Sequence, residues 1–75
     1  MSSVKGVIMK ELKNFARNLK ELRMQSGSTQ TDIAKSLGIT YQSYQAYELG
    51  ISVPTLQNFI KLAKLFDVSY DDLLN

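Results

Sequence analysis

Residues 29–50, TQTDIAKSLGITYQSYQAYELG, carry three tyrosines and three glutamines but only one lysine and no arginine. Amides and hydroxyls at this density donate and accept hydrogen bonds without charge, which is the chemistry of recognition rather than of bond breaking. Catalytic patterns are missing from the rest of the chain. With no histidine and no cysteine, disulfides are impossible, and the soft metal ligands and neutral-pH acid–base groups are lacking. The acidic pair Asp71 and Asp72 stands at an expected helix start, where the helix dipole favours carboxylates. No nucleophile with a neighbouring base and no phosphate-cradling glycine loop is visible. Neither an enzyme nor a bound metal or cofactor is expected.

The elements that must hold these polar groups are helices. Leu12, Phe15, Leu19 and Leu22 recur at steps of three and four with charged residues between them, so helix one is amphipathic, and Gly27 closes it. Thr29 with Asp32 forms a capping box that predicts helix two from Gln30 to about Leu37, stopped at Gly38. Thr40 caps helix three, whose inward residues are Tyr44 and Tyr47 and which ends before Gly50. Pro54 and Thr55 open helix four, with Leu56, Phe59, Ile60, Ala63 and Phe66 as its buried stripe. Ser69 and Asp72 make a second capping box, beginning a short helix five that holds Leu73 and Leu74. With no alternating strand pattern, the fold class is all-α, a compact five-helix domain. Only Gly38, Ile39 and Thr40 separate helices two and three, and so short a turn favours a steep crossing, the geometry of a helix-turn-helix; Ala34 suits a close approach of the two axes.

Seventy-five residues hold one small domain. Residues 12–75 are read as that domain and residues 1–11 as an N-terminal arm or an extension of helix one, with Val7, Ile8 and Met9 also open to a partner contact. The run VKGVIM is too short and too interrupted for a signal peptide or a membrane span, so a soluble cytoplasmic protein with no membrane partner is expected. Charge is uneven: Lys5 to Arg23 holds six basic residues against two glutamates, while the remainder has three lysines against five acids. That asymmetry permits a polyanionic partner, and it equally describes the solvated face of an amphipathic helix.

From Leu22 to Leu74 the chain resembles the phage-repressor and Cro-like (XRE) family of helix-turn-helix DNA-binding domains. The resemblance rests on TQTDIAKSLGIT, on YELG, on PTL and on LAKLFDVSYDDLL, in order and at matching spacing. It implies a sequence-specific, repressor-type regulator of transcription that binds double-stranded DNA, with the helix at about 40–48 in the major groove. Carried over by position, Tyr41, Gln42 and Gln45 correspond to the main base-reading residues, with Thr40 and Ala46 beside them. Thr29, Gln30, Ser43 and Arg23 correspond to phosphate contacts, and Arg23 with Glu48 to a structural ion pair. The chemistry agrees: glutamine pairs with adenine in bidentate fashion, and alanine and threonine methyls suit thymine.

Leu49 stands where the family commonly has asparagine, and ISV replaces a loop often rich in lysine or arginine. Few basic contacts and no arginine in helix three imply a shallow salt dependence and a site leaning towards A·T pairs. One short helix reads few base pairs, so a homodimer on half-sites about 34–36 Å apart is expected. Its face is sought among Leu62 to Tyr70 or in the apolar N-terminal segment. As no residues follow helix five, no ligand-sensing domain and no small-molecule ligand are expected. Outside this constellation Gln42 and Gln45 read as plain solvated surface, and Tyr41 is open to a role as a protein-interface anchor. The alternative is therefore a protein-interaction module of the same fold that does not bind DNA.

Overall fold

The computed structural model describes residues 2–75, with side chains from residue 10 onward. Five helices follow one another: α1 (Ser2–Ser26), α2 (Gln30–Leu37), α3 (Tyr41–Glu48), α4 (Leu56–Phe66) and α5 (Tyr70–Leu74). No strand occurs among the described residues. No helix among them is long and apolar enough to cross a membrane. A contact through Val7, Ile8 and Met9 concerns side chains outside the described ones.

Local chemistry sets the helix starts. Thr29, Thr40, Thr55 and Ser69 are N-caps in extended conformation, each accepting a hydrogen bond from the backbone N–H three residues on. At Thr29 and Ser69 the aspartate three residues on also accepts from the cap's own N–H, at 2.9 and 3.1 Å, completing both capping boxes. Pro54 lies one residue outside α4, which begins only after the Thr55 cap.

The helix ends repeat one device. Gly38 is left-handed (φ 71°), its N–H reaches the Lys35 carbonyl, and the N–H of Ile39 reaches Ala34 at 3.0 Å, so two orphan carbonyls of α2 are satisfied. The end of α4 is built the same way from Asp67 (φ 54°), with Val68 N–H on the Ala63 carbonyl at 3.0 Å. Here the left-handed position is held by a residue with a Cβ.

The core gathers Phe15 and Leu19 from α1, Ile33, Ala34 and Leu37 from α2, Tyr44 and Tyr47 from α3, Leu62 and Ala63 from α4 and Leu73 from α5. The expected stripe of α4 needs one correction. Leu56 is 74% exposed, whereas Leu62 is fully buried, with Phe59, Ile60 and Phe66 half-buried. Leu62 is therefore unavailable to a dimer face, although Leu65 and Tyr70 in the same segment are exposed. Five-residue α5 is too short to stand alone. Side chains of α1 hold it: Asn14 donates to the Leu74 carbonyl (3.2 Å) and Asn18 to those of Asp72 and Leu73 (both 3.1 Å).

Gly38 and Asp67, both left-handed, make opposite predictions for urea unfolding. Gly38→Ala should cost about 1–2 kcal/mol, a purely conformational loss because an added Cβ there meets no atom within 4 Å. Asp67→Gly should gain up to about 1 kcal/mol by relieving the same constraint.

Candidate nucleic-acid interface

Two residues anchor α3 from within. Tyr44 and Tyr47 are buried and meet edge-on, ring centroids 6.1 Å apart, so the opposite face of the helix turns outward. Tyr41, Gln42 and Ser43 are exposed; Gln45 and Ala46 are half-buried. Positions 41, 42 and 45 fall within about 100° of the helix circumference, so one tyrosine and two amides share a face. Thr40 stands apart from that set. Its hydroxyl accepts the Ser43 N–H (3.1 Å) and donates to the Ser43 Oγ (2.9 Å), leaving its methyl and one acceptor site but no donor for a partner, while Ser43 keeps a free O–H.

Glu48 ties the last turn of α3 to α1 and α2. Arg23 donates from Nε to Glu48 Oε2 (2.6 Å) and from Nη2 to Oε1 (3.1 Å), a bidentate pair, and from Nη1 to the Ser28 carbonyl (3.2 Å). Gln30 adds a third donor to the carboxylate, Nε2 to Oε1 at 3.0 Å. The pair is largely out of water, with side-chain exposures of 14% for Arg23 and 3% for Glu48. Burial pushes the Glu48 carboxyl up, but the hydrogen bonds of Arg23, the adjacent Tyr44 hydroxyl, Gln30 and the charge of Arg23 hold it below the usual carboxylate range. The Tyr44 hydroxyl is buried beside this pair without a hydrogen-bond partner, and burial together with the adjacent carboxylate drives its ionisation far above the ordinary phenol.

These bonds bear on the phosphate candidates. Arg23 has three of its five N–H donors turned inward, and Gln30 has spent one of two. Thr29 uses its oxygen as a cap and retains its O–H. All three line one groove with Lys20, Ser28, Thr31 and Tyr41. Lys20, Ser28 and Thr31 were not singled out from the sequence as site residues. Only the lysine carried a local signal, its place in the basic set of helix one.

A crossing pair of short helices joined by a left-handed glycine turn, with a polar outward face on the second, defines a helix-turn-helix domain. A helix-turn-helix family model matches residues 19–73. The chain belongs to that family, in its phage-repressor (XRE) branch. It is 45% identical over 60 residues to the Bacillus subtilis protein YqaE, an uncharacterised HTH-type transcriptional regulator, covering 80% of this chain and 52% of the relative. It is 40% identical over 45 residues to the cryptic phage CTXphi transcriptional repressor RstR of Vibrio cholerae, covering 60% of this chain and 40% of the repressor. The chain thus spans about half the length of the curated relatives it matches. Among solved structures, the SOS-response repressor LexA of Eubacterium rectale superposes with a TM-score of 0.82 at 32% identity, over 88% of this chain and 70% of that one. The restriction-modification controller protein C.AhdI of Aeromonas hydrophila gives 0.74 at 31% identity, over 83% and 94%.

Replacing Glu48 by glutamine leaves the half-buried Arg23 without its counter-charge and should destabilise the domain by about 1.5–3 kcal/mol in urea unfolding. Because the folded carboxyl gives up its proton at a lower pH than the unfolded one, near 4.5, the wild-type advantage is complete above that value. It is lost as pH falls through the lower folded value, so the variant's acid-unfolding slope should be flatter. Tyr44→Phe, which removes only the unpaired hydroxyl, should change stability by no more than about 1 kcal/mol in either direction; a loss above about 2 kcal/mol would mean that the hydroxyl is bonded.

Proposed function

We propose that this chain is a sequence-specific DNA-binding regulator of transcription, repressor-type, that lays α3 in the major groove of double-stranded DNA. One observation carries the reading: Tyr41, Gln42 and Gln45 share a face of a helix whose other side is anchored by two buried tyrosines and a buried ion pair. Eight residues of helix are about 12 Å long, matching the width of that groove. Gln42 and Gln45 read base edges, Ala46 and the Thr40 methyl touch thymine methyls, and Tyr41 stands at the leading end. Ser43 and Thr29 offer hydroxyl donors to phosphate, and Gln30 offers its remaining N–H beside the free backbone donors at the start of α2. Arg23 contributes chiefly by holding Glu48.

The relatives' descriptions as transcriptional regulators and as a phage repressor support this reading. A second protomer on an adjoining half-site would supply the base pairs that one short helix cannot, so a symmetric dimer on DNA is part of the proposal. Exposed Leu65 and Tyr70 offer apolar surface for it. Such a regulator works in the cytoplasm and needs no catalytic group. The Asp72 carboxylate is occupied as a cap partner.

The test is selection from random duplexes followed by titration of the selected site. The wild type should enrich A·T-leaning sites. Gln42→Ala with Gln45→Ala should lower the specific-to-nonspecific affinity ratio by about 2–6 kcal/mol, about 1–3 for each bidentate contact, with the helical circular dichroism unchanged. Enrichment of G-rich sites, or an unaltered ratio in the double variant, would defeat the assignment.

A further inference from the structure

The loop after α3, Ile51–Ser52–Val53, has no charge, so the cations that would neutralise phosphates beside the reading helix must come from another element. On α1, Lys13, Arg17 and Lys20 are exposed and recur at steps of four and three, within about 60° of the helix circumference. Glu21 lies about 70° and Glu11 about 150° from the centre of that stripe. A basic stripe on an amphipathic helix is ordinarily only its solvated face. Its position in the fold sets this one apart. Lys13, Arg17 and Lys20 form one wall of a groove whose other wall is Glu48, Leu49 and Gly50, at the end of α3. Lys20 also borders the groove that holds Thr29, Gln30, Thr31 and Tyr41, at the start of α2 and α3. The stripe therefore flanks the reading helix at both of its ends.

Two further observations bear on its purpose. Among the described residues the single ion pair is Arg23–Glu48, so none of the three cations has a carboxylate partner; Arg17 makes one hydrogen bond, to Asn14 Oδ1 at 3.2 Å. Glu48, the one acid in the adjoining groove, is already neutralised by Arg23. The lysines of α4, by contrast, line a separate groove with Ser36, Leu37 and Leu65. We infer that Lys13, Arg17 and Lys20 form a phosphate track that grips the backbone of the duplex alongside α3, in place of a basic loop. The inference rests on the DNA-binding reading and adds to it the surface on which salt-dependent affinity resides, which makes the salt dependence steeper than the uncharged α3 and its following loop alone imply. A helix in the major groove lies between two phosphate backbones, and three unpaired cations along its flank neutralise one of them without reading sequence.

The experiment measures affinity against potassium chloride for the selected site and for an unrelated duplex. It compares the wild type, the triple variant Lys13→Ala/Arg17→Ala/Lys20→Ala, and a control, Lys61→Ala/Lys64→Ala, that removes charge from the α4 face. All five side chains are exposed, and circular dichroism verifies the fold. Each lost phosphate contact removes about 0.9 from the log–log slope, so the triple variant should be shallower by about 2.7 per bound protomer. Between 50 and 200 mM salt the wild type should accordingly lose about 40-fold more affinity per protomer than the triple variant. The two duplexes should weaken alike, and the control slope should move by less than about 0.9. A wild type that binds while the triple variant keeps its slope, or a control that loses as much, overturns the track and leaves α3 as the reader. A folded wild type that binds no duplex at any salt takes down both readings.

Discussion

Glu48 is the last residue of α3, where the dipole of that helix disfavours a carboxylate, and it is almost wholly buried. It is tolerable there because Arg23, in the last turn of α1, where a cation is favoured, meets it with two parallel hydrogen bonds. The rest of the polar surface depends on this arrangement. Helices of eight residues do not persist in water by themselves, so α2 and α3 exist because α1 and α4 hold them. A bidentate pair fixes direction as well as distance. With Gln30 donating to the same carboxylate, one charge sets the rotation of α3 relative to both α1 and α2.

The tyrosines of α3 then divide by register. Tyr44 and Tyr47 are three apart and face inward, filling volume that three short helices would otherwise leave empty, whereas Tyr41 remains outside with the two glutamines. Uncharged side chains suit that outer face. A lysine or arginine there would bind any phosphate within reach, while an amide gains most when a complementary donor–acceptor pair stands opposite it. Selectivity and electrostatic attraction are thus separable tasks, the first suited to α3 and the second to the exposed cations of α1.

The helix boundaries around the site were legible because they are local events. Thr29 with Asp32, Ser69 with Asp72, and Gly38 act within one turn of chain, and their hydrogen bonds are present with the partners their spacing implies. The stop of α4 was less visible, since Asp67 occupies the left-handed position where glycine is the usual signal. The buried stripe of α4 was illegible for a different reason. Leucine or another apolar residue stands at 56, 59, 60, 62, 63, 65 and 66, so more than one face satisfies the helical period, and nothing within the helix chooses Leu62 over Leu56.

By itself the sequence determined where α2, α3 and α5 begin, and where α1, α2 and α3 end, which tyrosines turn inward, and that residues 29–40 fold as a helix, a tight turn and a new cap. Each of these follows from interactions a few residues apart. Tertiary structure alone decided that Thr40 spends its O–H on Ser43, that Gln30 and Arg23 both donate to Glu48, and that the cations of α1 line a groove with the end of α3. The resemblance had paired Arg23 with Glu48, but they stand 25 residues apart and no local pattern joins them. Contacts of that kind depend on the angles at which helices cross, and those angles are set by the packing of all five helices together.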